Sequence, residues 1–205
     1  MLYVRSKGDY PPVSIQPDTR PHVAISEARF VKPKTPDISL LEEVVAPRVL
    51  NAMRAAAAEY ERLGIRYALV GGLAVGAQGW PRATKDVDFL VDESAFERRP
   101  GGLVLLKVPF EAGGVPIDSL CPKDDELFLA DARDSAEVSH GIPVIGVEAL
   151  IYMKLRASRM RDRVDVVELL KAGTDPVACR KWIAEHAPDL SDDLERLVDT
   201  ARAEG

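Results

Sequence analysis

The sequence predicts an α/β protein of the α+β kind, with a small mixed β-sheet in front and an all-helical part behind. Three observations lead there. Short apolar runs punctuated by Gly, Pro and Asp recur between Ile65 and Ile145. Beyond Gly146 the composition turns helical throughout. Before both, prolines 11, 12, 17, 21, 33 and 36 interrupt a stretch with little apolar period, which excludes a long helix there. The implied organisation is an extended arm over 1–36, a core over 37–145 and a helical region over 146–205.

Taken in order, "DISLLEEVVAPRVLNAMRAAAAEYERLG" predicts helix, broken or restarted at Pro47 and stopped by Gly64. Strands are predicted at Ile65–Val70, Val87–Val91, Leu103–Val108 and Val115–Leu120, with a weaker one at Pro143–Ile145. A short helix fills Leu73–Gln78. The last third reads as helices Val147–Arg159, Arg163–Ala172, Pro176–Glu185 and Asp192–Ala203. Asp175 and Ser191 are their candidate N-caps.

The bulk numbers exclude several classes. At 205 residues with 46% hydrophobic and 29% charged side chains, the chain has the make-up of a globular protein. A net charge of -6 argues against a broad nucleic-acid-coating surface and leaves room for a local basic patch. Cys121 and Cys179 form no ligand motif, which fits a reducing compartment. The opening "MLYVRSKGDYPP" has no apolar core of a signal peptide, and no run is long enough to span a bilayer. A cytoplasmic location with no membrane contact is the expectation.

The chemistry concentrates in "LVGGLAVGAQGWPRATKDVDFLV", residues 69–91. A strand turns alternate side chains to opposite faces, so Asp86 and Asp88 point one way while Val87 and Phe89 face the core. Unpaired carboxylates on a half-buried strand are costly, and a bound metal would offset that cost. Taken alone, Gly71-Gly72 also suits a tight turn, and alternating acids also suit a surface strand. The pair fits neither a Walker loop nor a dinucleotide fingerprint.

The combination is more specific. An apolar residue and two glycines (Val70, Gly71, Gly72), then Asp86-Val87-Asp88-Phe89, resemble the nucleotidyltransferase superfamily of DNA polymerase beta. "RATKDVD", Arg82 to Asp88, is similar to the Arg-x-Thr-x-Asp-x-Asp of small bacterial members, including abortive-infection toxins. The likeness runs from about Ile65 to Leu170. It implies a nucleotidyltransferase core that moves a nucleoside monophosphate from an NTP to an acceptor hydroxyl and releases pyrophosphate. Asp86, Asp88 and a third carboxylate, Asp118 in "GGVPIDSL", would be catalytic and would hold Mg²⁺ or Mn²⁺.

By the same resemblance, Gly71, Gly72, Arg82, Thr84, Lys154 and Asp165 would form the nucleotide site. The glycines would let backbone approach the triphosphate, and the following helix N-terminus would favour its charge. Lys154, Arg161 and Asp165 would share one stripe if a single helix carried all three. The Lys154–Arg163 basic run equally suits a solvated helix face, and Asp165 with Glu168 could simply pair with arginines. Partners implied are an NTP, an acceptor such as tRNA or a protein, and an antitoxin. The alternatives are a nucleotidyltransferase-fold binding module without turnover and an interaction protein of a toxin–antitoxin pair. His22, His140 and His186 are isolated, and Trp80 beside Pro81 reads as packing.

Overall fold

The computed structural model describes residues 35–205. All of the predicted arm except Thr35 and Pro36 lies outside the described residues.

The helix expected from Asp37 begins instead as a single 3-10 turn, Ile38–Leu41, capped by the Asp37 carboxylate, which accepts from Ser39 N–H at 2.9 Å. Helix α1, Pro47–Leu63, starts at the proline because the residue before a proline is pushed out of the helical region. Ala46 accordingly sits at ψ 134°. Gly64 ends α1 at φ 68°. The buried face of α1 reads Val49, Leu50, Met53, Ala56, Ala57 and Tyr60, the spacing of one helical stripe.

The strands are β1 (Tyr67–Val70), β2 (Val87–Val91), β3 (Phe96–Arg98), β4 (Val104–Leu106), β5 (Glu111–Ala112), β6 (Val115–Leu120), β7 (Glu137–Ser139) and β8 (Ile142–Val144). The helices after α1 are α2 (Gly71–Ala77), α3 (Phe128–Asp134), α4 (Val147–Ala157), α5 (Met160–Lys171), α6 (Pro176–His186) and α7 (Ser191–Glu204). Six strands form one mixed sheet in the order β5-β6-β2-β1-β8-β7. β1 lies antiparallel to β2 and parallel to β8, and β2 lies parallel to β6. The α/β expectation holds in this mixed sheet and its flanking helices.

α1 packs across β2, β5 and β6. Tyr60, Tyr67 and Phe89 meet there with ring centroids 5.1–5.5 Å apart, and the Tyr60 hydroxyl is 2.8 Å from Ser119 Oγ. α4 lies against α2, and α5, α6 and α7 close the helical end. No helix among the described residues is long and apolar enough to cross a membrane.

Further expectations differ from the structure. The strand expected over Leu103–Val108 shrinks to β4, which pairs only with β3 as a separate ribbon and leaves Leu103 and Val104 half exposed. α3 and β7 were not expected; each is short, and α3 has no side-chain cap to announce it. Ser191 is the first residue of α7 rather than its cap, because a 3-10 turn over Pro188–Leu190 precedes it. The helix expected to run on to Arg159 stops at Ala157, where Ser158 turns left-handed at φ 53°. Asp175 does cap α6, accepting from Val177 N–H at 2.8 Å.

Candidate active site

β2 stands between β1 and β6 at the end of the sheet where α2 begins. In this register Asp88 is opposite Val70 on one side and Asp118 on the other. Parallel pairing of Asp88 with Asp118 puts their side chains on the same face. Asp86 lies two residues before Asp88, ahead of the first strand residue, and Val87 and Phe89 are fully buried on the opposite face. The three acids predicted from the sequence therefore line one cavity of about 330 Å³. Among the described residues, no three His, Cys, Asp or Glu side chains stand close enough to hold an ion as they are.

The two glycines serve these acids locally. Gly71 opens α2 at φ 65°, and a Cβ built there would lie 1.9 Å from Asp88 Oδ2. The Asp88 carboxylate thus occupies the space a side chain would take, and Gly72 N–H donates to it. At Gly72 a Cβ would meet Thr84 Oγ1 at 3.1 Å and the Arg82 guanidinium at 3.3 Å. The Arg82–Thr84 loop rests directly on this second glycine. Gly71→Ala should displace the Asp88 carboxylate and force an unfavourable backbone. We expect it to cost roughly 1–3 kcal/mol in a denaturant melt and to abolish any metal-dependent stabilisation. A variant as stable and as metal-responsive as the wild type would contradict that geometry.

Burial drives the electrostatics of Asp88. Desolvation first, then the charges of Asp86 and Asp118, push its acid up from 3.8 to about 6, against the opposing pull of Lys154 and Gly72 N–H. Thr84 Oγ1 donates to Asp86 Oδ1 at 2.6 Å and fixes that carboxylate's orientation.

Below the acids lies an ion network that no continuous stripe could make. The left-handed turn at Ser158 reverses the chain, so α5 folds back and presents Asp162 and Asp165 to Lys154. Lys154 Nζ reaches Asp162 Oδ1 at 2.9 Å and Asp165 Oδ2 at 2.8 Å. Arg82 forks onto Asp165 with Nε to Oδ1 at 2.6 Å and Nη2 to Oδ2 at 2.7 Å. Arg161 Nη2 donates to the Ala83 carbonyl at 3.0 Å, a second tie between α5 and the loop carrying Thr84 and Asp86.

Asp165 is 0% exposed with both oxygens engaged, so it positions Arg82 and Lys154 rather than meeting a ligand. Burial alone would raise the Asp162 acid, but Arg159 at 2.7 Å and Lys154 outweigh it and hold the acid below its ordinary value. Arg159 is 77% exposed and lines the cavity with Arg161. Asp162 was missed in the sequence, although Asp162 and Asp165 stand three residues apart on one helical face.

Chemically, the cavity combines an all-oxygen set of acidic donors with a basic rim. That donor set suits a hard divalent ion such as Mg²⁺ or Mn²⁺. The rim of Arg159 and Arg161 suits a phosphorylated ligand.

No protein-family model matches the sequence, and no curated protein matches it. Among solved structures, the chain is similar to an antigenic nucleotidyltransferase-like protein from Paracoccidioides brasiliensis, with a TM-score of 0.38 and 18% identity. That likeness covers 74% of this chain and 94% of the other.

Proposed function

We propose that this chain is a nucleotidyltransferase. It would move a nucleoside monophosphate from an NTP to an acceptor hydroxyl on RNA, a protein or a small molecule. The observation that carries the reading is Asp88, held in cross-strand register with Asp118, two residues from Asp86, over a glycine that leaves it room. An acid raised to about 6 by burial first and by its acidic neighbours second is a poor structural choice and a good cation ligand. Asp86, Asp88 and Asp118 would hold Mg²⁺ or Mn²⁺. When bound, such an ion supplies neutralisation of the triphosphate and polarisation of the reacting phosphoryl group.

The chain's own residues do the rest. Arg159 and Arg161 at the rim bind and orient phosphate oxygens. Thr84 keeps Asp86 turned towards the cavity. Asp118 is exposed and accepts the proton of the acceptor hydroxyl. The Arg82–Asp165–Lys154 network sets the loop's distance from α5, so catalysis would come mainly from positioning and charge. A part as the toxin of a toxin–antitoxin pair in the cytoplasm follows from the sequence resemblance and remains within this proposal.

A second reading is a binding module that holds nucleotide without turnover. It is favoured by the absence, among the described residues, of three carboxylates already close enough for an ion.

The deciding experiment incubates the full chain with each labelled NTP, Mg²⁺ or Mn²⁺, and separate RNA and protein acceptors, with Asp88→Asn alongside. We expect label transfer and pyrophosphate release by the wild type alone. Nucleotide binding without pyrophosphate release would select the binding module.

A further inference from the structure

The sheet fixes two of the three cavity acids. Asp88 and Asp118 are paired across the parallel β2–β6 ladder, so neither shifts without disturbing strand hydrogen bonds. Asp86 is held differently. It precedes Val87, the first residue of β2, and it is exposed. The three are not close enough to hold an ion as they stand. Asp86 is the acid free to close that gap, and the loop 82–85 that leads to it sets its position. Two helices support this loop. On α2, a Cβ at Gly72 would meet Thr84 Oγ1 at 3.1 Å, so the loop rests there. From α5, the exposed Arg161 donates from Nη2 to the Ala83 carbonyl at 3.0 Å. The next residue, Thr84, donates to Asp86 Oδ1 at 2.6 Å. Arg161 and Asp86 line the same cavity, so this chain of bonds keeps the loop at the cavity wall.

We propose that Arg161 is a positioning residue for the metal site. Through the Ala83 carbonyl and Thr84 it holds Asp86 at the cavity, and so sets the affinity of the three acids for a divalent ion. The inference deepens the transferase reading and rests on its assignment of Asp86, Asp88 and Asp118 to the metal. It gives Arg161 a task separate from its contact with phosphate. The effect is preorganisation: a loop already held in place loses less freedom when the acids gather round an ion. Partners that orient a metal ligand typically account for about 10–100-fold in metal affinity. Charge alone predicts the opposite sign. Arg161 is a cation at the rim of an acidic cavity, so its removal would strengthen the attraction of a bare cation.

The two roles separate in a titration of the full chain with Mn²⁺ alone, without nucleotide or turnover. The proteins are the wild type, Arg161→Leu, Arg161→Lys, Thr84→Val and the double variant Thr84→Val/Arg161→Leu. Free Mn²⁺ is read by electron paramagnetic resonance, and each protein is also melted in EDTA. We expect Arg161→Leu to bind Mn²⁺ roughly tenfold or more weakly, with little change in its metal-free melting temperature. Lysine keeps a donor and the charge, so Arg161→Lys should recover most of the affinity. Thr84→Val should lose a similar factor, and the double variant no more than the larger single loss, because both act along one path. Equal or tighter Mn²⁺ binding by Arg161→Leu overturns the proposal. So does a double loss equal to the product of the single ones. A loss of affinity accompanied by a matching fall in metal-free melting temperature also overturns it, since the loop would then be loosened generally. Absence of saturable Mn²⁺ binding by the wild type sinks the metal assignment and this inference together. Absence of label transfer from NTP with these affinities as expected sinks the transferase activity alone.

Discussion

Lys154→Met is expected to lower the unfolding free energy by about 3–5 kcal/mol. The side chain is 8% exposed, and its ammonium is the shared partner of Asp162 and Asp165, themselves almost wholly buried. Removing it leaves two neighbouring buried carboxylates of α5 without their shared cation, with Arg82 and Arg159 each held to one of them. Methionine keeps the volume, so the loss measures charge rather than packing. Urea melts of the wild type, Lys154→Met and the double variant Lys154→Met/Asp162→Asn check this. The second change should recover part of the loss, because it removes one stranded charge. A Lys154→Met protein as stable as the wild type, with only weaker NTP binding, would show that the ammonium serves phosphate rather than the fold.

Asp88→Asn is expected to abolish nucleotidyl transfer and, in metal-free protein, to stabilise the fold near neutral pH. The sign follows from the direction of the shift. Below about pH 4 the carboxyl is protonated both folded and unfolded, so it contributes nothing to pH dependence. Between 3.8 and about 6 the unfolded chain ionises first, and wild-type stability falls as pH rises. Above about 6 the penalty is complete, and that displacement corresponds to about 3 kcal/mol. Asn carries no charge, so its advantage should be largest at pH 7 and vanish towards pH 4. Burial first, then Asp86 and Asp118, raise the acid, and Lys154 opposes them. With Mn²⁺ or Mg²⁺ and NTP the order reverses. The wild type should gain roughly 2.7 kcal/mol at a hundred times the dissociation constant, and Asp88→Asn should gain little. Calorimetry with EDTA and with metal plus NTP reads both. Equal responses of the two proteins would remove Asp88 from the metal site.

The strands that carry the three acids were legible because each is bounded by turn residues and alternates or runs apolar: "VDFLV" became β2 and "VPIDSL" became β6. Gly71-Gly72 was legible as a junction, but not what fills it. A glycine says that something comes close, and only the fold shows that Asp88 and Arg82 do. The reversal at Ser158 was not legible, because no Gly, Asn or Pro marks that left-handed turn and the helical composition continues through it. The second helix was expected only from Arg163, which left Asp162 outside it, and Asp162 meets Lys154 only because α5 begins at Met160 and doubles back. α3 and β7 were missed because seven and three residues are too few to show a period. The aromatic cluster of Phe128, Tyr152 and Trp182 draws on three separate helices, so no local pattern could announce it.

The placement of β1 carries a consequence for synthesis. All four residues of β1 are buried, and its neighbour on one side, β2, follows within some twenty positions. Its neighbour on the other side is β8, parallel to it and reached only at Val144, with Ile145 N–H donating to the Leu69 carbonyl at 3.1 Å. A nascent chain that has left the ribosome only as far as Asp134 therefore carries an apolar central strand with one edge unsatisfied. Such an edge pairs readily with another chain. Partial chains ending before Ile142 should collect in the insoluble fraction, whereas chains released past α4 can close that edge. A holdase that covers "YALV" for the time needed to translate the next seventy-odd residues would serve this protein more than one acting on the completed fold.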